Sequence, residues 1–385
     1  MFIITSPFLK PTDANMLPDN SDETLYQIAL TFVKDIGPKR AKALLAHYGN
    51  ASDIFKASVK QMARIDGFSE DRARAFKEQD VLTQAEQEFK FVQKHGVQVL
   101  WVNNDNYPQR LKHCSDAPIV LYYRGTASPN AAKTVAVIGT RKNTDYGQKL
   151  TEQLIDDLSG REDLIIVSGL AHGIDAIAHK RSLKAGLPTI GALGHGLDRI
   201  YPSTNKEVAK DMLLNGGLIT EFPTGTKPER QNFPMRNRIV AGISDVTVVV
   251  ESDIKGGALI TARVAASYNR DVAAFPGRTT DSKSSGCNEL IRTNTAAMIT
   301  KADDLIEMMG WATVKKKPVQ KQLFLDLSPD EQKILELLQR HESIHADELL
   351  HTTGIANAML PALLLGLEMQ GLIRALPGKQ YRYDA

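Results

Sequence analysis

The sequence predicts an α/β fold: an extended, doubly wound, Rossmann-like parallel sheet carrying a small helical unit at each end. Three observations carry this. Between Lys133 and Thr300, short apolar runs of strand length alternate with helical patterns: Thr134–Ile138, Leu164–Val167, Thr189–Leu193, Leu218–Thr220, Val246–Val250, Val272–Phe275 and Ala297–Ile299. The first run is continuous and almost wholly apolar or β-branched, as a strand covered on both faces is. Several runs end in glycine turns, at Gly139, Ser168–Asp175 and Gly194–Asp198, and a strand, a tight Gly turn and a helix make the repeating unit of such a sheet.

Bulk composition narrows the class. With 385 residues, two or three domains are expected, and 42% hydrophobic with 24% charged residues is ordinary for a soluble globular protein. No apolar run reaches membrane-spanning length, so no membrane partner is expected. The start, MFIITSPFLK, has no basic leader before an apolar segment, and a cytoplasmic protein is expected. Two cysteines, Cys114 and Cys287, make neither a disulfide framework nor a metal site. A net charge of +2 means that any basic surface is local.

In chain order, residues 1–20 read as a loose tail with Pro7, Pro11 and Pro18. Residues 21–92 read as a helical module. Leu25, Ile28, Ala29 and Phe32 have helical spacing, and Asp35-Ile36-Gly37-Pro38-Lys39-Arg40 leads into a helix through Ala41, Leu44, Leu45 and Tyr48. This resembles a helix-hairpin-helix (SAM-like) motif, whose hairpin amides grip a DNA phosphate. A weaker copy without the basic residues is Ile65-Asp66-Gly67-Phe68 before Asp71–Phe76. The same residues also suit a plain helical domain with Gly and Pro in ordinary capping positions.

Residues 97–310 form the core. Val97–Val102 and Ile119–Tyr123 are strands that extend the sheet or cover its edge, and Thr204-Asn205-Lys206-Glu207 reads as a capping box. Phe222–Gly242 opens as a Pro/Gly loop and becomes a helix with Pro234 in its first turn. The consecutive Arg236, Asn237 and Arg238 fan over about 200° of that helix. One is expected to tie the helix to neighbouring carbonyls or carboxylates while another reaches a ligand. Phe233, just before them, is either core or a stacking platform. Residues 311–328, with Lys315-Lys316-Lys317-Pro318, read as a linker. Residues 329–385 read as a winged helix: a helix capped by Ser328, a short helix near Asp347–Leu350, a helix from about Asn357 to Gln370, and a hairpin of Leu372–Ala375 with Gln380–Tyr383. Its helix in the DNA-reading position, Ala356 to Leu363, almost lacks basic and amide side chains, so protein contact or positioning is expected of it.

A parallel sheet binds its ligand at the carboxyl ends of its strands. Here that face holds Gly139-Thr140-Arg141, Ser168–Asp175, Gly194–Asp198, Glu221-Phe222 and Glu251 to Gly257, glycines and helix starts suited to phosphate. Nicotinamide binding is disfavoured: Gly139-Thr140-Arg141 lacks the second and third glycines of Gly-x-Gly-x-x-Gly, and Gly194-His195-Gly196 has Arg199 in the third place. No Gly-Lys-Ser/Thr marks a P-loop, and no cofactor or metal is expected. His172, Asp175, His195, Glu221 and Glu251 are catalytic candidates by position, with His172 and Asp175 spaced to share a helical face. By architecture the chain also resembles the nucleotide phosphoribohydrolases of the lysine-decarboxylase-like family. Their Pro-Gly-Gly-x-Gly-Thr-x-x-Glu loop is matched only by Lys255-Gly256-Gly257-Ala258-Leu259-Ile260-Thr261-Ala262-Arg263, without the carboxylate. That enzyme is the alternative reading, and the departure argues against it.

Seven motifs in order resemble the DNA-processing protein A family (DprA, also called Smf): Gly139-Thr140-Arg141 with Tyr146-Gly147; Ser168 to Asp175; Gly194 to Asp198 with Tyr201-Pro202 and Asn205; Phe233-Pro234-Met235-Arg236-Asn237-Arg238-Ile239; Gly257 to Ala262; Phe275-Pro276-Gly277; and Gly286 to Ile291. The resemblance covers about Tyr107 to Ile306, and the end units match the family's three-part layout. It implies a non-catalytic protein that binds single-stranded DNA on the Rossmann domain, protects incoming DNA in natural transformation, helps load the RecA recombinase and works as a homodimer. Carried over by position, Arg141 clamps a phosphate with the Gly139 and Thr140 amides, Phe233 stacks a base, and Arg236 or Arg238 supports the groove beside Asn237. Lys255, Gly256, Gly257 and Thr261 take another phosphate, and Ser168, Gly169, His172 and Gly173 complete the face. His172 stands where the family commonly has Arg or Lys, which leaves a donor without a permanent charge.

Overall fold

The computed structural model describes residues 21–161, 163–311, 327–341, 343–376 and 378–383. The expected tail at 1–20, and the expected linker apart from Trp311, Leu327 and Ser328, lie outside the described residues. Two compact units are distinguished, with their boundary between Trp311 and Ala312.

The apolar runs form the strands of one sheet: β1 (Gln98–Trp101), β2 (Val120–Gly125), β3 (Lys133–Ile138), β4 (Leu164–Ser168), β5 (Thr189–Ala192), β6 (Gly216–Thr220), β7 (Val246–Val249), β8 (Asp271–Ala274) and β9 (Ala297–Met298). Their order is β1-β2-β6-β5-β4-β3-β7-β8-β9. From β6 to β9 every pairing is parallel, while β1 and β2 join antiparallel. The Val97 and Ile119 runs therefore extend the sheet. Chain order reverses at β3, which lies between β4 and β7, so the strand-end crevice of a doubly wound sheet falls beside it.

The strand period of two splits each run between two cores. Val135 and Val137 face one, with Ile166 and Val248; Ala136 and Ile138 face the other, with Val167 and Val249. The first is covered by α8 (Asp145–Leu158), α9 (Ile174–Lys184) and α14 (Ala302–Met308). The second is covered by α10 (Lys206–Met212), α11 (Asn232–Ile243), α12 (Gly257–Ser267) and α13 (Ser285–Arg292). It runs without a break into the N-terminal module, made of α1 (Ser21–Phe32), α2 (Pro38–Tyr48), α3 (Ala51–Lys56), α4 (Val59–Met62), α5 (Glu70–Lys77) and α6 (Leu82–His95). Module and sheet are thus one compact unit. A short α7 (Gln109–Lys112) packs against α11.

Both hairpins of the module form as read from the sequence. Pro38 sits at the first position of α2, and the Arg40 guanidinium donates to Asp35 O. The second hairpin repeats this, with Arg72 donating to Gly67 O. Its following helix, however, opens with Glu70 and Asp71, which oppose an anion at its amide end.

The second unit holds α15 (Pro329–Gln339), α16 (Ala346–Thr353) and α17 (Leu360–Met369), with β10 (Ile344–His345), β11 (Ile373–Leu376) and β12 (Gln380–Tyr383) in the order β10-β12-β11. Ser328 and Glu331 form a capping box at α15. The winged helix is as expected, with β10 a two-residue strand too short to announce itself in sequence. Its α17 presents Leu365 and Met369 to solvent rather than cations.

The expected Thr204–Glu207 capping box does not form: Thr204 lies within a 3-10 turn (Ser203–Asn205), and Asn205 stands at the N-cap of α10 with no side-chain cap bond. The Asn205 side-chain amide donates to Leu170 O (3.0 Å) and Ala171 O (3.2 Å). It braces the loop after β4 instead.

Candidate nucleic-acid interface

The crevice beside β3, where a doubly wound sheet would hold a nucleotide phosphate, is filled by the protein's own anion. The buried Glu251 carboxylate accepts from the Thr144 amide (2.9 Å) and the Thr144 hydroxyl at the N-terminus of α8. Gly147 has no side chain because a Cβ there would run into this carboxylate. The Glu251 carbonyl also takes the Thr140 amide at 2.8 Å. An internal carboxylate on the helix end satisfies the donors and the dipole that a phosphate would otherwise neutralise. The crevice is therefore closed to a dinucleotide by chemistry as well as by glycine spacing.

The open site lies one strand over, at the ends of β4 and β5. It is a shallow pocket lined by Arg141, His172, Tyr201, Pro202 and Phe233, with Gly169, Gly194, His195 and Arg236 among its other walls. Arg141 is exposed and sets its guanidinium carbon 5.2 Å from the centre of the Phe233 ring. Tyr201, 46% exposed, is tilted against the same ring at 6.0 Å. A cation and two adjacent aromatic faces around an open pocket are the ingredients of a stacking platform with a phosphate clamp.

The base of the pocket is held by buried polar groups. Arg236 is 4% exposed, and its guanidinium donates to Gly169 O and to Ala192 O (2.6 Å) and to Asn237 Oδ1 (3.1 Å). Asp175, buried nearby, accepts the Gly169 amide at 3.1 Å. Burial pushes Asp175 up, while the Arg236 charge and amide bonds draw it back down. Burial also lowers Arg236 to about 10, which leaves it cationic at neutral pH. His195 is buried and held below its ordinary pKa by desolvation. Its Nδ1 lies 2.9 Å from Gly196 O and its Nε2 accepts the Tyr201 amide at 3.2 Å, so a neutral ring fixes the tyrosine.

The structure brings Arg141, Gly169, His172, Phe233 and Arg236 to one pocket, but it corrects several expected contacts. Arg236 and Arg238 do not present their charges to solvent. Arg238, 8% exposed, pairs with Glu221 and donates to Asp116 O, because α11 is covered on nearly every side and its cations must be neutralised internally. The Thr140 amide is committed to Glu251, so it does not assist Arg141. The Ser168 hydroxyl donates to Val137 O (2.6 Å), and Thr261 is buried within α12. Gly139 and Gly173 are spacers: a Cβ on Gly139 would meet Ile174, and Gly173 adopts φ +74° against Thr140 O. Lys255, Gly256 and Gly257 are accessible at the start of α12, but that helix follows β7, two strands from β4, about 10 Å at the usual strand spacing. His172 is exposed and Asp175 buried, so the two share no face.

A family model for DNA recombination-mediator protein A matches residues 98–310, more than half of the chain. The chain belongs to this family. A DprA winged helix model matches residues 320–379, and a SAM-like helix-hairpin-helix tandem matches residues 28–79. Protein Smf of Synechocystis is 32% identical, over 94% of this chain and 99% of its own length. DNA processing protein DprA of Streptococcus pneumoniae is 39% identical over 53% of this chain and 71% of that one. The solved structure of the Streptococcus pneumoniae protein superposes with a TM-score of 0.64 and 30% identity, covering 76% of this chain and 98% of that chain. A structure of the Helicobacter pylori DNA processing protein A, solved for its unique single-stranded DNA binding mode, gives 0.51 and 31%, over 56% and 96%. Membership places the chain among DNA-processing proteins.

Within this DNA recombination-mediator family member, Ala171, Gly194 and His195, expected on the ligand face though not among the DNA contacts, line the pocket, and so do Leu193, Tyr201 and Pro202, to which the sequence assigned no contact. Their signal was present: Gly194-His195-Gly196 and Tyr201-Pro202 belong to the third motif, at the end of the strand next to β4. Among the described residues no group of His, Cys, Asp and Glu is placed to hold a metal, and no helix is long and apolar enough to cross a membrane.

Proposed function

We propose that the chain binds single-stranded DNA at the pocket between the ends of β4 and β5, protecting incoming DNA and assisting RecA loading in natural transformation. The observation that carries this reading is the exposed Arg141 guanidinium over the Phe233 ring, with Tyr201 beside it, at the mouth of the pocket. Arg141 and His172 offer donors to a backbone phosphate. Phe233 and Tyr201 offer faces to bases, which only an unpaired strand exposes. Relatives named as DNA-processing proteins support the reading, as does the single-stranded DNA binding of the Helicobacter pylori protein.

The function proposed is binding rather than catalysis. The three carboxylates that were catalytic candidates by position each have a structural engagement: Glu221 with Arg238, Glu251 with Thr144, and Asp175 with the Gly169 amide. None is left as an accessible general base on an enzymatic reading of the fold. RecA loading and the homodimer rest on the family resemblance, and a cytoplasmic location rests on the sequence reading alone.

Fluorescence anisotropy of labelled single-stranded and duplex oligonucleotides tests the proposal. Salt-sensitive, sequence-tolerant binding with a preference for the single strand is expected. Equal affinity for both forms, or no binding, refutes it. RecA filament formation on single strands with and without the protein tests the loading role, and sedimentation tests the dimer.

A further inference from the structure

We propose that Glu88, on the N-terminal helical module, is a positioning residue for the DNA-binding face: it latches the Pro223–Thr226 turn and so sets where Phe233 stands. The inference rests on the reading that Phe233 contacts single-stranded DNA.

Glu88 lies in the middle of α6 and is 4% exposed. Its Oε2 accepts both the Thr224 amide (2.9 Å) and the Thr224 hydroxyl (2.5 Å), across 136 residues of chain. A carboxylate is costly to bury, and here two hydrogen bonds to one threonine of the core help to offset that cost. Tyr122 of β2 and Asp198 face it, and Asp198 is paired with Arg199. His95 and Arg124 line the adjoining crevice with Asp198. Burial and the Asp198 charge push Glu88 up from the ordinary carboxylate range, and the Thr224 bonds draw it down.

The turn is gripped from its other side by the loop that walls the DNA pocket. Gly225 N–H donates to Asp198 Oδ1 (3.1 Å), and Gly196 N–H donates to Thr226 O (3.3 Å). Gly196 also packs so closely that a Cβ there would lie 2.5 Å from Pro223 O. From Thr226 the chain runs to Phe233 through a braced segment. Asn232 donates its side-chain amide to Lys227 O (3.1 Å) and its backbone N–H to Glu229 O (3.0 Å). Glu88 is thus the module's hand on one end of a short, internally tied loop whose other end is the stacking ring. Through this contact the helical module contributes to DNA binding on the sheet.

The test measures affinity for a labelled dT oligonucleotide, thermal midpoint, and amide exchange of residues 223–232 in the full chain. Glu88→Ala should weaken binding about tenfold and speed exchange across 223–232. Glu88→Gln keeps an acceptor oxygen for the Thr224 amide and should recover most of the affinity. Combined with Phe233→Ala, Glu88→Ala should add no further loss, because it acts through that ring. Should Glu88→Ala not fold, Thr224→Ala removes the hydroxyl donor and keeps the amide bond, and should give a smaller loss of affinity with faster exchange over the same segment. Wild-type affinity in Glu88→Ala and Thr224→Ala, alongside weak binding by Phe233→Ala, overturns the latch. Losses that add in the double variant, or a lowered midpoint with intact affinity below it, overturn it too. Wild-type affinity in Phe233→Ala instead overturns the DNA reading beneath it, while the exchange data still report whether Glu88 holds the turn.

Discussion

Replacing Arg141 with alanine separates two contributions that the pocket combines. Arg141 is exposed, and its contact with Phe233 is a cation–π pair worth about 0.5–1 kcal/mol at such a position. The variant should therefore keep its folding stability to within about 1 kcal/mol. Its binding should change in a specific way. One phosphate contact to a single strand contributes about 0.7 to the slope of log K against log salt. Arg141→Ala should flatten that slope by about 0.7, so its deficit against wild type shrinks roughly 2.6-fold between 50 and 200 mM salt. Arg141→Lys keeps the charge and should keep the slope. Phe233→Ala should behave oppositely: loss of a stacked base costs about 1–3 kcal/mol, roughly 5- to 150-fold in affinity, with the slope unchanged. Anisotropy titrations at four salt concentrations measure both quantities. An unchanged slope in Arg141→Ala, or a changed slope with intact affinity in Phe233→Ala, would refute this division of labour.

Three further outcomes follow from the interior. Arg236→Met should cost about 3–5 kcal/mol in chemical denaturation, since it strands the Gly169 and Ala192 carbonyls and the buried Asp175 charge; a loss below 1 kcal/mol would contradict its buried role. Gly173→Ala should be destabilised by at least about 1–2 kcal/mol, because φ +74° disfavours a Cβ and Thr140 O lies in its path; an unchanged urea midpoint would count against this. His179 is fully buried, its pKa pushed down to about 3 by desolvation first and Arg236 second. Between pH 6.5 and 3 the unfolded chain then binds the extra proton, so stability falls as pH falls through that window, by at most about 1.4 kcal/mol per unit from this group. His179→Gln should flatten the measured pH dependence of stability by about one proton, and an identical profile would exclude His179 as a source.

The sequence by itself determined the sheet, its cores and the end units, because strand and helix periods are local properties. A run such as Thr134–Ile138 needs no knowledge of its neighbours to be a buried strand, whereas the glycines at 139, 173 and 196, read from sequence as suited to phosphate, prove to be spacers against Ile174, Thr140 O and Pro223 O. The sequence also put Arg141 and His172 at the carboxyl ends of strands, on the face where such a sheet binds ligands. The fate of the cations was not local. A helix normally keeps one face in water, so Arg236, Asn237 and Arg238 were expected to divide between anchor and ligand. Only the tertiary structure shows α11 enclosed, with both arginines neutralised inside and the exposed roles left to Arg141 and Phe233. The same holds for Glu251, Asn205 and Glu88. Each finds its partner a long way along the chain, at Thr144, Leu170 and Thr224, and no spacing rule reaches that far. Hydrogen-bond donors near a strand end read as a phosphate site in sequence, but packing decides whether they are spent on the protein itself or left for a ligand.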